Sequence, residues 1–150
     1  MKKMNNKGFS LVELIIVIAI MAVLVGVLAP QFIKYVESSK QSTDIQNASE
    51  IRAAVESFVA ENAPTTNVTV AVGSTGIAVS GGAYEDSAGT AKTVSDALTA
   101  VGLSSTTTCK SAGWGTVAKV AEYDVKTFKW TTTPTQNTKE PKKDLADAFK

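Results

Sequence analysis

Apolar and polar positions divide the chain into unlike parts. Leu14 to Ala29 is unbroken apolar sequence, preceded by Phe9-Ser10-Leu11-Val12-Glu13 and stopped by Pro30. As a helix, Leu14 to Ala29 spans about 24 Å at 1.5 Å per residue, and adding Phe9 to Glu13 brings it to the thickness of a bilayer core. Pro30 removes a backbone donor and its ring clashes with the preceding turn, so a kink is expected there, in a region that Gly26 also weakens. From Gln31 to Glu61 the period is helical. Ile45, Ala48, Arg52, Val55, Phe58 and Val59 fall mainly on one face, with the Arg52 stem reaching to its edge. Asp44, Gln46, Glu50, Ser57 and Glu61 mark the opposite face. This is the pattern of a helix lying on a sheet, ended by Asn62-Ala63-Pro64. A helix continuous from Phe9 to Glu61 is about 80 Å long.

Past Asn62 the pattern changes to alternation. Thr66 to Val72 and Ile77 to Val79 flank Gly73-Ser74-Thr75-Gly76, which predicts a hairpin closed by Gly81-Gly82. Thr93 or Ser95 caps a short helix through Ala100, with Val94, Leu98 and Val101 as its apolar side and Gly102 as its stop. A second strand region covers Gly115 to Thr132, with Val117, Val120, Tyr123, Val125, Phe128 and Trp130 expected inward or at an interface. Its alternation changes phase between Asp124 and Thr127, where a turn or bulge is expected. Pro134 to Lys143 is polar and expected to be exposed, and Asp144 to Phe149 forms one helical turn or two. The fold class is α+β.

Composition narrows the chemistry. The 150 residues carry a net charge of +1, which gives no basic surface for nucleic acid, and Lys139, Lys142 and Lys143 make only a weak candidate for DNA contact. There is no histidine, so the commonest general base and metal ligand is missing, and no cofactor or metal is expected. The single cysteine, Cys109, cannot form an intramolecular disulfide and is read as a buried small residue. Tyr84, Trp114, Tyr123 and Trp130 are assigned to packing rather than to an exposed aromatic strip. The chain is not expected to be an enzyme.

The head of the chain is the informative part. Lys2, Lys3 and Lys7 precede the apolar run, a basic flank that places the N-terminus in the cytoplasm and the rest outside. No small-x-small cleavage site follows the run, so an ordinary secretory signal is disfavoured and an uncleaved signal anchor stands as the plain alternative. Glu13 does not suit a plain anchor. An acidic side chain in an apolar helix costs on the order of 2–4 kcal/mol to insert and needs a partner or a purpose.

The segment Lys7-Gly8-Phe9-Ser10-Leu11-Val12-Glu13 resembles the leader junction of type IV prepilins, specifically over residues 5–30 and more loosely through the helix that follows. The resemblance implies cleavage after Gly8 by a membrane peptidase, N-methylation of the new terminus at Phe9, and use of Glu13 and Phe9 in subunit assembly. It also implies a type IV pilin fold, a long kinked helix whose outer half packs on a small antiparallel sheet. Residues 1–8 are then a leader peptide, 9–30 the transmembrane and later filament-core helix, 31–61 the amphipathic half, and 62–150 a β-rich head with a polar tail. The physics is compatible. A glycine leaves the scissile backbone open, and Glu13 lies one turn from the cationic amine that cleavage creates at Phe9. A charge-assisted bond from an incoming amine to a neighbour's Glu13 neutralises two charges that are costly in an apolar bundle.

The expected partners are copies of the chain itself, a prepilin peptidase/methyltransferase, the membrane, and an assembly platform with separate ATPases. The expected location is the plasma membrane, then the extracellular fibre, serving adhesion, motility, aggregation or DNA uptake. Many Gram-negative pilins staple a C-terminal loop with a disulfide; a lone Cys109 fits a Gram-positive or other lineage. A pseudopilin of a type II secretion or competence system is the nearest alternative, and a signal-anchored binding domain the next.

Overall fold

A computed structural model describes residues 8–73, 76–100, 102 and 104–150, without the side chains of Val117 and Ala118. Most of the expected leader, the centre of the first hairpin turn and Val101 therefore lie outside the described residues. The chain divides into two units, Met1–Val36 and Glu37–Lys150. In the first, every described residue is exposed, including the whole apolar run. Helix α1 (Leu11–Asn62) begins there and stays helical through Pro30. The missing Pro30 N–H leaves the Gly26 carbonyl, four residues earlier, without its intrahelical donor.

In the second unit α1 buries Gln41, Asp44, Ala48, Ile51, Val55 and Phe58, spaced alternately by three and four residues, together with Val59. This stripe shares Ala48, Val55, Phe58 and Val59 with the expected one but is rotated toward Ile51 and away from Arg52. Its first two members are polar, which hid it. Asp44, expected on the outer face, is fully buried because three donors from a distant loop converge on it.

The stripe packs on a five-stranded antiparallel sheet. Strands β1 (Val68–Gly73) and β2 (Gly76–Gly81) form the expected hairpin. Val68, Val70 and Val72 alternate inward on β1 because period-two sequence puts every second side chain on one face. A small hairpin of β3 (Tyr84–Glu85) and β4 (Ala91–Lys92) follows, which the sequence pattern did not predict. Helix α2 (Val94–Ala100) buries Val94 and Leu98. Asp96 caps it by accepting the amide and the hydroxyl of Thr93, both at 2.8 Å. Strands β5 (Thr106–Thr107), β6 (Val117–Asp124) and β7 (Lys129–Thr132) complete the sheet in the order β5-β2-β1-β6-β7.

The turn between β6 and β7 lies where the alternation changes phase. The Asp124 carboxylate accepts the Lys126 amide at 2.9 Å, and its carbonyl accepts the Phe128 amide at 2.8 Å. This puts Phe128 in the left-handed region, φ 55°, with its ring in solvent, which leaves of the two expected places, inward or at an interface, only the second. The segment after β7 also departs from expectation. Thr135 and Asn137 are buried, and a 3₁₀ turn over Leu145–Phe149 puts Leu145, Ala146, Ala148 and Phe149 in the core. Asp144 ties both ends of this segment, accepting the amides of Thr135 at 2.8 Å and Ala146 at 3.0 Å. Tyr123, Trp130 and Phe149 stack in series at 5.0 and 4.9 Å, and the Trp130 indole donates to Glu56 of α1 at 2.8 Å. Trp114 and Tyr123 are buried, and Tyr84 and Trp130 pack against the core, as expected of packing aromatics.

Candidate functional site

The N-terminal end of α1 is built from its first described residues. Gly8 has open space where a Cβ would stand, and Phe9 is 91% exposed, so no other described residue crowds the backbone joining them. Ser10 is the residue before the first helical turn. Its carbonyl accepts the Leu14 amide at 3.2 Å, and its own amide donates to the Glu13 carboxylate at 2.9 Å. Ser10-x-x-Glu13 thus closes the reciprocal half of a capping box, in which the third helical residue reaches back to the residue that starts the helix. Sequence reasoning missed this role, although serine three residues before glutamate at the head of an apolar run is its usual signal. Glu13 also sits at the positive end of the helix dipole, where a carboxylate is favoured.

Behind this end runs an 18-residue window of mean hydropathy 3.1, none of it buried. It belongs to the one helix among the described residues that is long and apolar enough to cross a membrane. Phe9, Glu13, Leu14, Ile16 and Val17 together line an open apolar groove, so the structure brings Phe9 and Glu13 to one surface. Pro30 and Gly26 lie farther along the same exposed stretch.

A second set of functional groups lies in Glu37–Lys150, where α1 meets two loops. The Asp44 carboxylate accepts the amides of Lys110 at 2.6 Å and Ser111 at 2.9 Å and the Trp114 indole at 2.7 Å. One turn earlier, Gln41 donates to the Lys139 carbonyl at 3.0 Å and accepts the Lys143 amide at 3.3 Å. One turn earlier again, Glu37 accepts the Ser111 hydroxyl, a bond that holds its carboxyl below the usual range. Asn137 joins the two loops by donating to Ser111 Oγ at 2.8 Å. A Cβ on Gly113 would lie 1.9 Å from Asn137 Oδ1, so only glycine lets the loops approach this closely.

The network ties the loop around Ser111 to the segment around Asn137 and both to α1. Cys109 is half-buried beside it, and burial pushes its thiol up to about 11, with the Asp44 charge adding to the effect. Of the three lysines considered for DNA contact, Lys139 and Lys142 are exposed and Lys143 is held against α1. Lys143 Nζ donates to Ser42 Oγ at 2.5 Å, and Lys142 pairs with Glu140 at 3.9 Å. No group of three or more potential metal-ligating side chains occurs among the described residues.

Comparison with known proteins agrees with this geometry. The prokaryotic N-terminal methylation motif matches residues 3–29, the end just described. The chain is 44% identical over 68 residues to prepilin peptidase-dependent protein A of Clostridium perfringens, covering 45% of this chain and 49% of that one. It is 43% identical over 57 residues to the type IV major pilin protein PilA of Myxococcus xanthus, 38% of this chain and 26% of that one. It is 37% identical over 57 residues to the type IV major fimbrial protein FimA of Dichelobacter nodosus, 38% of this chain and 36% of that one. The matched stretch spans about half the length of the first relative and less of the other two. No solved structure matches the chain. The chain thus carries the N-terminal methylation motif at its head. The long helix on an antiparallel sheet accompanies this similarity to proteins named as pilins and as prepilin peptidase-dependent.

Proposed function

We propose that this chain is the structural subunit of a type IV pilus. It is made with a leader over residues 1–8, cut after Gly8 by a prepilin peptidase and methylated on the Phe9 amine. It is held in the plasma membrane by residues 9–30 and then assembled into a surface fibre by a platform with separate ATPases. Pro30 and Gly26 supply the point at which the helix bends or loses order in the fibre. The single observation that carries this reading is the pairing of an open Gly8–Phe9 junction with an unpartnered apolar helix headed by Glu13. An apolar surface of that extent is stable only in lipid or against other copies of itself. In a packed core of such helices, the Phe9 amine of one subunit and Glu13 of another neutralise each other. Adhesion, motility, aggregation and DNA uptake are the uses open to such a fibre, and residues 62–150 form the head it displays.

Intact mass and N-terminal sequencing of protein sheared from cell surfaces test the reading. The expected product starts at a singly methylated Phe9, lacks the leader and is recovered in fibres. A chain that starts at Met1 and stays with the membrane fraction overturns the proposal and returns the protein to the signal-anchored class. A processed, methylated chain that never leaves the cell envelope favours the pseudopilin reading.

A further inference from the structure

Within Glu37–Lys150, one large apolar side chain among the described residues stands fully in solvent: Phe128, 67% exposed. Asp124 fixes its turn through three amides, those of Lys126, Thr127 and Phe128. At φ 55° the backbone favours glycine or asparagine, so local conformation gives no reason for an aromatic residue there. Lys126 and Lys129 flank the ring, both exposed and neither in an ion pair among the described residues. The β7 edge of the sheet therefore carries an aromatic knob with a cationic collar.

The β5 side of the sheet carries its complement. Two adjoining cavities lie along the α1–α2 groove and share Ala54 and Leu98: one is also lined by Ile51, the exposed Glu50 and Thr107 of β5, the other by Phe58 and the exposed Glu61. The second, roomier one encloses about 190 Å³, enough for a phenyl ring. Neither carboxylate forms an ion pair among the described residues. Knob and groove thus match in apolar character and oppose in charge, and β5 and β7 are the two ends of the strand order.

We infer that Phe128 of one copy seats in the α1–α2 groove of a second copy, with Lys126 and Lys129 facing its Glu50 and Glu61. Because the two surfaces differ and lie at opposite sheet edges, each contact leaves one knob and one groove free. Such a heterologous contact propagates instead of closing into a dimer. One aromatic anchor falls far short of the roughly 1,200–2,000 Å² that a stable interface buries, so it holds only copies already gathered through another contact. The inference therefore rests on the fibre reading and adds to it the contact between heads.

The test uses the full-length chain expressed in cells, with fibres recovered by shearing. Phe128→Asn removes the ring and suits the turn, so the thermal midpoint of the variant is unchanged or higher, while fibre recovery falls several-fold. Glu50→Lys causes a similar loss, and adding Lys126→Glu and Lys129→Glu to it restores recovery. In a Cys109→Ser background carrying Thr127→Cys and Ala54→Cys, which keeps the Phe128 ring, a short thiol–thiol crosslinker on sheared fibres gives a ladder extending past the dimer, and neither single-cysteine variant does. Wild-type recovery of Phe128→Asn fibres overturns the inference. So does a ladder that is absent or stops at the dimer, whatever the Phe128→Asn yield. Either result in a strain that makes fibres leaves the fibre reading intact, whereas failure of the wild-type chain to form fibres overturns both.

Discussion

The Glu13 carboxylate accepts the Ser10 amide in the single chain, and in the proposed fibre it also accepts the charged amine of a neighbour. The two roles separate by substitution. Glutamine keeps an oxygen for the Ser10 amide but carries no charge, whereas alanine loses both. Glu13→Gln is expected to retain helical content and membrane insertion yet lose fibre recovery at least tenfold. A Glu13→Gln strain with wild-type fibres would show the carboxylate to be a helix cap alone. Residue-scale roles were unevenly legible. Gly8, Phe9 and Glu13 could be singled out because they occupy one short contiguous motif whose chemistry conflicts with its apolar setting. Asp44 could not: a carboxylate on an amphipathic helix normally marks the solvent face, and its donors lie 66 to 70 positions away. For Phe128, expected inward or at an interface, the Asp124 turn rules out the inward place by reversing the alternation.

At the scale of elements, α1 uses one stripe for two kinds of attachment. Its later part, from Ala48 to Val59, is apolar and packs on the sheet, whereas Glu37, Gln41 and Asp44 hold loops by hydrogen bonds. Strands β1, β2, β6 and β7, α2 and the first hairpin were legible from period and turn residues, whereas the two-residue strands β3, β4 and β5 were not. The loop segments were not, because their order depends on polar partners that no local pattern reveals. Asp44→Asn tests the attachment. An amide keeps one oxygen for the Ser111 amide and the Trp114 indole but turns its NH2 toward the Lys110 amide, which is left without an acceptor. It is expected to destabilise the protein by about 3 kcal/mol, since buried donors left without acceptors cost about 1–3 kcal/mol each. Chemical denaturation of the detergent-solubilised chain measures this, and a loss below 1 kcal/mol would mean that the loops rearrange around other acceptors. Trp114 donates directly to Asp44, so its fluorescence reports the same event.

For the molecule as a whole, the charge network sets how stability varies with pH. Glu37 is held below its ordinary 4.5 by the Ser111 hydroxyl, Glu56 by Arg52, and Glu122 by Lys119. Asp124 is held below 3.8 by the Lys126 amide. All four bind protons less readily when folded than when unfolded, so their stabilisation is complete above the ordinary values and is lost as pH falls through the lowered ones. The thermal midpoint is expected to be flat from about pH 7 to 5 and to drop below about pH 4. A midpoint that rises on acidification would contradict this assignment. The span of the contacts matters in another way. Gln41 bonds to positions 139 and 143, and Arg52 donates to the Lys150 carbonyl at 2.5 Å, so α1 closes its contacts with a segment about a hundred positions later. The ribosome makes the helix first and these partners about a hundred residues later, so packing waits on loop closure over that span. During that interval the stripe from Ala48 to Val59 is uncovered, leaving the nascent chain open to proteases and dependent on chaperones, a vulnerability set by the order of synthesis rather than by the stability of the finished fold.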